Sequence, residues 1–164
     1  MNKIKKVLFV CLGNTARSPA AEYLARYYNE KFKANLEFDS CGFINAFDYI
    51  QAESREYLDK KGINYTDFTP KIINRKLLEK QDLILTMEKE HSNEIKNIYG
   101  NVPHIKNKTF TLKEFNGETY NINIMDPYYT SRETYRKVLN IIDIEVEKAL
   151  KKIMKLNELS ELKI

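Results

Sequence analysis

The chain has 164 residues, 43% hydrophobic and 30% charged, with 27 Lys and Arg against 23 Asp and Glu for a net charge of +4. That length suits a single domain over residues 1–164 with a sizeable core, and no apolar run is long enough to span a bilayer. Two widely separated cysteines exclude a disulfide framework and a zinc-type spacing, while the mild basic excess suits phosphorylated substrates without amounting to a nucleic-acid footprint.

The N-terminus enters a strand within a few residues and carries no signal-peptide pattern, which predicts a reducing, cytoplasmic setting with no membrane contact. The buried-strand run Val7-Leu8-Phe9-Val10 leads into Cys11. Gly13 and Asn14 then tolerate positive φ, Ser18 is placed to cap a helix, and Pro19 fits its first turn. That helix shows an apolar face at Ala21, Leu24, Ala25 and Tyr28. Strand, tight loop and helix N-terminus together aim backbone N–H groups at one spot and favour an anion there.

Leu36–Ser40 alternates as a short strand ended by Cys41 and Gly42, and an aromatic loop follows with Phe43, Phe47 and Tyr49. Residues 52–61 read as a helix with Tyr57 and Leu58 inward and Gly62 as its stop, and residues 70–79 as a second, short helix. Asp82–Thr86 is a buried strand, and 88–98 a polar helix stopped by Gly100. A weak strand is expected around His104 and Ile105. Asn116-Gly117, between Phe110–Phe115 and Thr119–Ile122, has the signature of a hairpin turn. Thr130-Ser-Arg-Glu133 has capping-box spacing and opens a long helix with its stripe at Val138, Ile142, Val146, Ala149, Ile153 and Leu156. The tail from Asn157 to Ile164 is expected to fray. Strands alternating with helices give an α/β fold: a parallel sheet covered on both faces, with ligands bound beyond the strands' carboxyl ends.

Cys11 and Arg17 bracket the loop with five residues between them, so both ends can face one small ligand. A guanidinium holds phosphate oxygens in a bidentate fork. A helix N-terminus and a neighbouring cation favour the thiolate form of a cysteine, and a thiolate beneath a phosphate cradle can attack phosphorus. The plainer account is a buried cysteine ending a strand, with an unrelated arginine nearby; the flanking strand, Ser-Pro and helix weigh against it.

The stretch Cys11-Leu-Gly-Asn-Thr-Ala-Arg17-Ser18 resembles the Cys-x-Gly-Asn-x-x-Arg-Ser signature of the low-molecular-weight protein tyrosine phosphatases, and Asp126-Pro127-Tyr128-Tyr129 resembles their second motif. The resemblance spans nearly the whole chain and implies a four-stranded doubly wound sheet. It implies a nucleophile at Cys11, a phosphate cradle of Leu12, Gly13, Asn14, Thr15, Ala16, Arg17 and Ser18, and a general acid at Asp126. Ser18 would donate to the thiolate, and Asn14 would hold the loop's turn. Phe47, Tyr49, Tyr128 and Tyr129 would wall the cleft, unless the tyrosine pair instead docks the last helix. The substrate would be a phosphorylated protein or small aryl phosphate, the protein a monomer. Neither metal nor organic cofactor is called for, because arginine and backbone dipoles supply the positive charge.

The chain departs from the family pattern at several points. Ala16 stands where many members carry a second cysteine; Cys41 is either a substitute resolving thiol or a small buried residue. Asp67 occupies the position of a histidine that helps support the loop asparagine, a task shared with Ser40. Glu88 takes the place of an acidic residue after the third strand. Thr15 matches the related protein-arginine phosphatases, whereas the tyrosine pair matches tyrosine-specific members, so arginine-phosphate hydrolysis is the alternative activity. Arsenate reduction, which needs further downstream cysteines, and a non-catalytic phosphate-binding module rank below both. His91 and His104 read as surface or packing residues.

Overall fold

The computed structural model describes residues 2–162. Its elements run β1 (Lys6–Cys11), α1 (Arg17–Phe32), β2 (Glu37–Gly42), α2 (Ala52–Lys60), α3 (Arg75–Glu79), β3 (Leu83–Thr86), α4 (Lys89–Ile98), α5 (Ile105–Lys108), β4 (Thr109–Thr111), α6 (Leu112–Phe115) and α7 (Arg132–Leu162). The strands form one four-stranded sheet in the order β2-β1-β3-β4, every neighbouring pair parallel. Helices cover both faces, as expected for a doubly wound sheet.

Strand periodicity divides β1 between two cores. Val7, Phe9 and Cys11 face a large cluster built with α1, α2, α6 and α7, while Leu8 and Val10 face a smaller one containing Leu77, Leu78, Ile95 and Ile105. Being buried on both faces, the strand reads as a continuous apolar run rather than an alternation. The expected stripe of α7 packs on the first face, where Val138, Ile142, Val146, Ala149 and Ile153 are all buried. Each such aliphatic side chain contributes roughly 1.5–3 kcal/mol on removal from water. One polar group joins the helices of this face. Asp143 of α7 is buried and accepts from the hydroxyls of Tyr28 on α1 and of Tyr57 on α2, the latter at 2.6 Å, with Lys61 Nζ 3.1 Å away.

Several local expectations are corrected. Residues 70–74 are extended, not helical: Ile72 bridges to Gly42, and only α3 remains, capped by the Asn74 side chain. His104 takes a left-handed φ of 63° and opens α5, so the strand lies further on, at β4. No hairpin forms around Asn116-Gly117. Thr111 and Glu114 make a capping box that starts α6, and Gly117, at φ 98°, stops it. The cap of α7 is Ser131, whose Oγ accepts from Thr134 N at 3.1 Å; Thr130 instead bonds the Pro127 carbonyl. That final helix is continuous through Leu162, so the expected loose tail from Asn157 is helical, and residues 163–164 lie outside the described residues.

Candidate active site

Strand β1 delivers Cys11 to the carboxyl edge of the sheet, paired in register with Gly42 of β2. Six residues later the chain enters α1 at Arg17, and backbone hydrogen bonds from the 43–44 stretch and from Gln51 hold the intervening loop. The Leu12 carbonyl accepts from Phe43 N at 2.7 Å and Ile44 N at 3.1 Å, and the Thr15 carbonyl accepts from Gln51 N at 2.7 Å. Gly42 admits the loop bodily, since a Cβ there would lie 2.7 Å from Asn14 N and from the Leu12 carbonyl oxygen. Of the two residues expected to tolerate positive φ, Asn14 adopts it, at 53°. Gly13 serves close approach, because a Cβ on it would meet that of Ala46 at 2.9 Å.

Asn14 is the internal brace. Its Nδ2 donates to Ser18 Oγ and to Ser40 Oγ, both at 2.9 Å, and its Oδ1 accepts from Lys71 N at 2.9 Å. Ser18 does not cap α1: the cap position is Ala16, with no side-chain bond, and the Ser18 hydroxyl lies 3.0 Å from Cys11 Sγ. Asp67 takes no part in the brace. It accepts from Tyr23 Oη at 2.8 Å and from Arg26 Nη1 at 3.3 Å, and the Tyr23 hydrogen bond holds its carboxyl below the usual range.

Arg17 is 1% exposed. Its Nη1 donates to Glu88 Oε2 and to the Ile124 carbonyl, both at 2.7 Å, and its Nη2 lies 3.8 Å from Asp126 Oδ2. Its Nε is buried without an acceptor in the protein. Asp126 is positioned from the segment behind it. Ile124 N donates to the Met87 carbonyl at 2.8 Å, docking this stretch beside β3, and Asp126 Oδ1 accepts from Tyr128 N at 3.0 Å.

A cavity of about 440 Å³ joins these groups. Cys11, Leu12, Gly13, Thr15, Ala16 and Arg17 line it, with Phe47, Gln51, Asp126 and Tyr128. Asn14 and Ser18, expected in the cradle, are fully buried and do not line this cavity. Tyr49 and Tyr129 line a neighbouring groove of about 400 Å³ that shares Phe47, Gln51 and Tyr128. Phe47 and Tyr128 sit edge to face at 5.7 Å, and Tyr129, at φ 65°, is 90% exposed. Neither tyrosine of the pair is buried under the last helix. Tyr135 ties it down instead, through Ser54 Oγ at 2.9 Å and Gln51 Oε1 at 3.1 Å.

Cys41 lies on the opposite face of the sheet from Cys11, in the smaller core, and burial pushes its thiol up. That placement favours the packing reading over a resolving thiol. His91 is buried against Phe43 at 5.3 Å between centroids, with burial pushing its imidazole down. Among the described residues, no group of three or more His, Cys, Asp or Glu is placed to hold a metal ion. Sequence reading missed Gln51, whose Nε2 reaches Thr15 Oγ1 at 3.3 Å, and Glu22, which is 1% exposed and accepts from Ser40 Oγ at 2.6 Å. The signal for Glu22 was a carboxylate four residues after Ser18, inside the otherwise apolar run Ala20-Ala-Glu-Tyr-Leu-Ala25.

Comparison with known proteins points the same way. The family model described as low molecular weight phosphotyrosine protein phosphatase matches residues 6–159. The low molecular weight protein-tyrosine-phosphatase Ptp of Acinetobacter johnsonii is 35% identical over 127 residues, covering 77% of this chain and 82% of the relative. The protein-arginine-phosphatase of Bacillus subtilis (strain 168) is 29% identical over 150 residues, covering 91% and 94%. The crystal structure of the low molecular weight protein tyrosine phosphatase from T. tengcongensis superposes with a TM-score of 0.80 at 31% identity, covering 90% of this chain and 99% of the other.

Proposed function

The chain belongs to the low molecular weight phosphotyrosine protein phosphatases, and from that premise we propose that it hydrolyses phosphotyrosine in proteins, and small aryl phosphates, through a cysteinyl-phosphate. The observation that carries the reading is Arg17: a guanidinium buried beside a cysteine and an aspartate in one cavity, with its Nε left without a protein acceptor. A phosphoryl oxygen is the partner such a donor fits.

In the first step the Cys11 thiolate attacks phosphorus, the P–S bond forms and the bond to the leaving oxygen breaks. Asp126 passes its proton to that oxygen. In the second step the Asp126 carboxylate takes a proton from water, which attacks phosphorus; the P–S bond breaks, inorganic phosphate leaves, and the thiolate and the protonated Asp126 are regenerated. Arg17 and the loop N–H groups from Leu12 to Ser18 hold the three equatorial oxygens, whose charge is greatest in the transition state. Ser18 donates to the sulfur. Phe47 and Tyr128 flank an aromatic leaving group, with Tyr49 and Tyr129 outside them. A catalytic thiolate suits a reducing, cytoplasmic compartment, and the working unit is a monomer.

The second reading is protein-arginine phosphatase, favoured by Thr15, which lines the cavity. Phosphotyrosine ranks above it because of the aromatic walls. The test of the main reading is turnover of para-nitrophenyl phosphate with chelator present, by wild type, Cys11→Ser and Asp126→Ala. Activity that survives chelation, disappears in Cys11→Ser and falls severely in Asp126→Ala supports it. Turnover indifferent to Cys11 sinks it. Comparing phosphotyrosine with phosphoarginine peptides then separates the two substrates.

A further inference from the structure

Gln51 occupies the cap position of α2, where a short polar side chain would ordinarily bond the first free N–H groups of the helix. Its side chain makes no such bond. Instead Gln51 grips Thr15 twice: its main-chain N–H donates to the Thr15 carbonyl at 2.7 Å, and its Nε2 donates to Thr15 Oγ1 at 3.3 Å. The amide is held in that sense from behind. Tyr135 Oη, on α7, donates to Gln51 Oε1 at 3.1 Å, and Ser54 Oγ pins the phenol at 2.9 Å. With the amide oxygen taken by Tyr135, it is the nitrogen that faces Thr15.

Thr15 is buried, yet it lines the cavity with Cys11, Gln51 and Asp126. Its hydroxyl accepts from Gln51, and among the described residues nothing accepts its own hydrogen. A hydroxyl has one hydrogen and rotates to suit its partners. Gln51 fixes that rotor: the hydrogen points away from the amide, and a ligand in the cavity is left to take it.

We propose that Gln51 is a positioning residue for specificity: by holding the Thr15 hydroxyl as a donor to the cavity, it favours phosphotyrosine over phosphoarginine. This rests on the reading of the cavity as a phosphatase site.

The two substrates share their phosphoryl oxygens and differ at the bridging atom. In phosphotyrosine that atom is an oxygen without hydrogen, which accepts. In phosphoarginine it is a guanidino nitrogen, and the whole group presents N–H donors. A donor hydroxyl matches the first and meets like with like in the second, where a buried polar group goes unpaired. Discrimination of this kind comes from the mismatch as much as from the match. Gln51 is also well placed for it, because with Phe47 and Tyr128 it lines both the cavity and the outer groove, on the way out for the leaving group.

The experiment measures kcat/KM on phosphotyrosine and phosphoarginine peptides in wild type, Gln51→Met, Thr15→Val and the double variant. The readout is the ratio of the two values. Gln51→Met keeps the side chain's length but frees the hydroxyl, and should lower the phosphotyrosine-to-phosphoarginine ratio about fivefold to tenfold, the scale of one hydrogen bond. In the Thr15→Val background the same change should move the ratio less than about twofold, because the hydroxyl it acts through is gone. A role confined to holding α2 would lower both substrates together and leave the ratio alone. Gln51→Ser, which supplies a side chain able to cap α2, should shift the ratio in the same direction and keeps the test open where Gln51→Met does not fold. An unmoved ratio, or an equal shift with and without the Thr15 hydroxyl, overturns the proposal. Absence of wild-type turnover on either peptide would count against the phosphatase reading instead, and the same ratio is then read from the Kd values of the two peptides.

Discussion

Arg17 and Glu88 meet at 2.7 Å, Nη1 to Oε2, with the guanidinium buried and the carboxylate 29% exposed. The same nitrogen also donates to the Ile124 carbonyl, so Arg17 is locked between the end of β3 and the segment that carries Asp126. A clamp of this kind spends its cost of ordering before the ligand arrives.

Glu88→Ala should therefore weaken the handling of phosphate as well as the fold. The expected result is a fall in kcat/KM of about tenfold to a hundredfold, with a stability loss of about 1–3 kcal/mol from the charged hydrogen bond. Steady-state kinetics and urea unfolding check the two effects separately.

Asp126 should matter in proportion to how badly the leaving group needs a proton. Asp126→Asn is expected to lower kcat about 10²–10⁴-fold on phenyl phosphate, and less on para-nitrophenyl phosphate, whose phenolate departs more easily. Plotting log kcat against leaving-group pKa should give a steeper slope for the variant.

Tyr128→Ala should raise KM for phosphotyrosine peptides several-fold and leave kcat nearly unchanged, because a wall that contacts substrate and transition state alike contributes uniform binding. An aromatic contact of about 0.5–1.5 kcal/mol sets that scale. Tyr129→Ala should do less, since Tyr129 lines only the outer groove.

The Asp143 junction makes a prediction about stability alone. Asp143→Ala strips the buried Tyr28 hydroxyl and the half-buried Tyr57 hydroxyl of their acceptor and should cost about 3 kcal/mol in urea unfolding. Burial, and then the Asp143 hydrogen bond, push the hydroxyls of Tyr28 and Tyr57 above the ordinary tyrosine value. Below about pH 10 both phenols are neutral in folded and unfolded chains, and their contribution is fully present. Above it the unfolded chain releases protons that the folded one retains, so stability falls as pH rises. The urea midpoint should decline above about pH 10, less steeply in the Tyr28→Phe, Tyr57→Phe double variant.

What could be read from the sequence was whatever is encoded locally. The run Val7–Val10 and the loop from Cys11 to Ser18 carry their own geometry, and so does the apolar stripe of α7. Asn116-Gly117 misled because a glycine at positive φ closes a hairpin and ends a helix equally well, and the competing signal, the capping box of Thr111 and Glu114, decided the outcome. Residues 70–74 were lost to a tertiary bond: their carbonyl and N–H groups pair with Gly42 across the molecule. Ser18 had two plausible partners, its own helix and the sulfur. The position of Cys41 on the far face followed only once the register of β2 against β1 was known. Glu22 was invisible for a similar reason, because its partner Ser40 lies on another element.

The pairing of Cys11 with Gly42, and the backbone contact that Gly42 allows, also set an order of events in time. The loop cannot take its final shape until β2 has zipped against β1 to its last residue and the 71–73 segment has closed on the other side of Gly42. In a refolding experiment, then, returning enzymatic activity can coincide with or trail the return of the sheet, but cannot lead it. Turnover thus serves as a clock for the last stretch of folding.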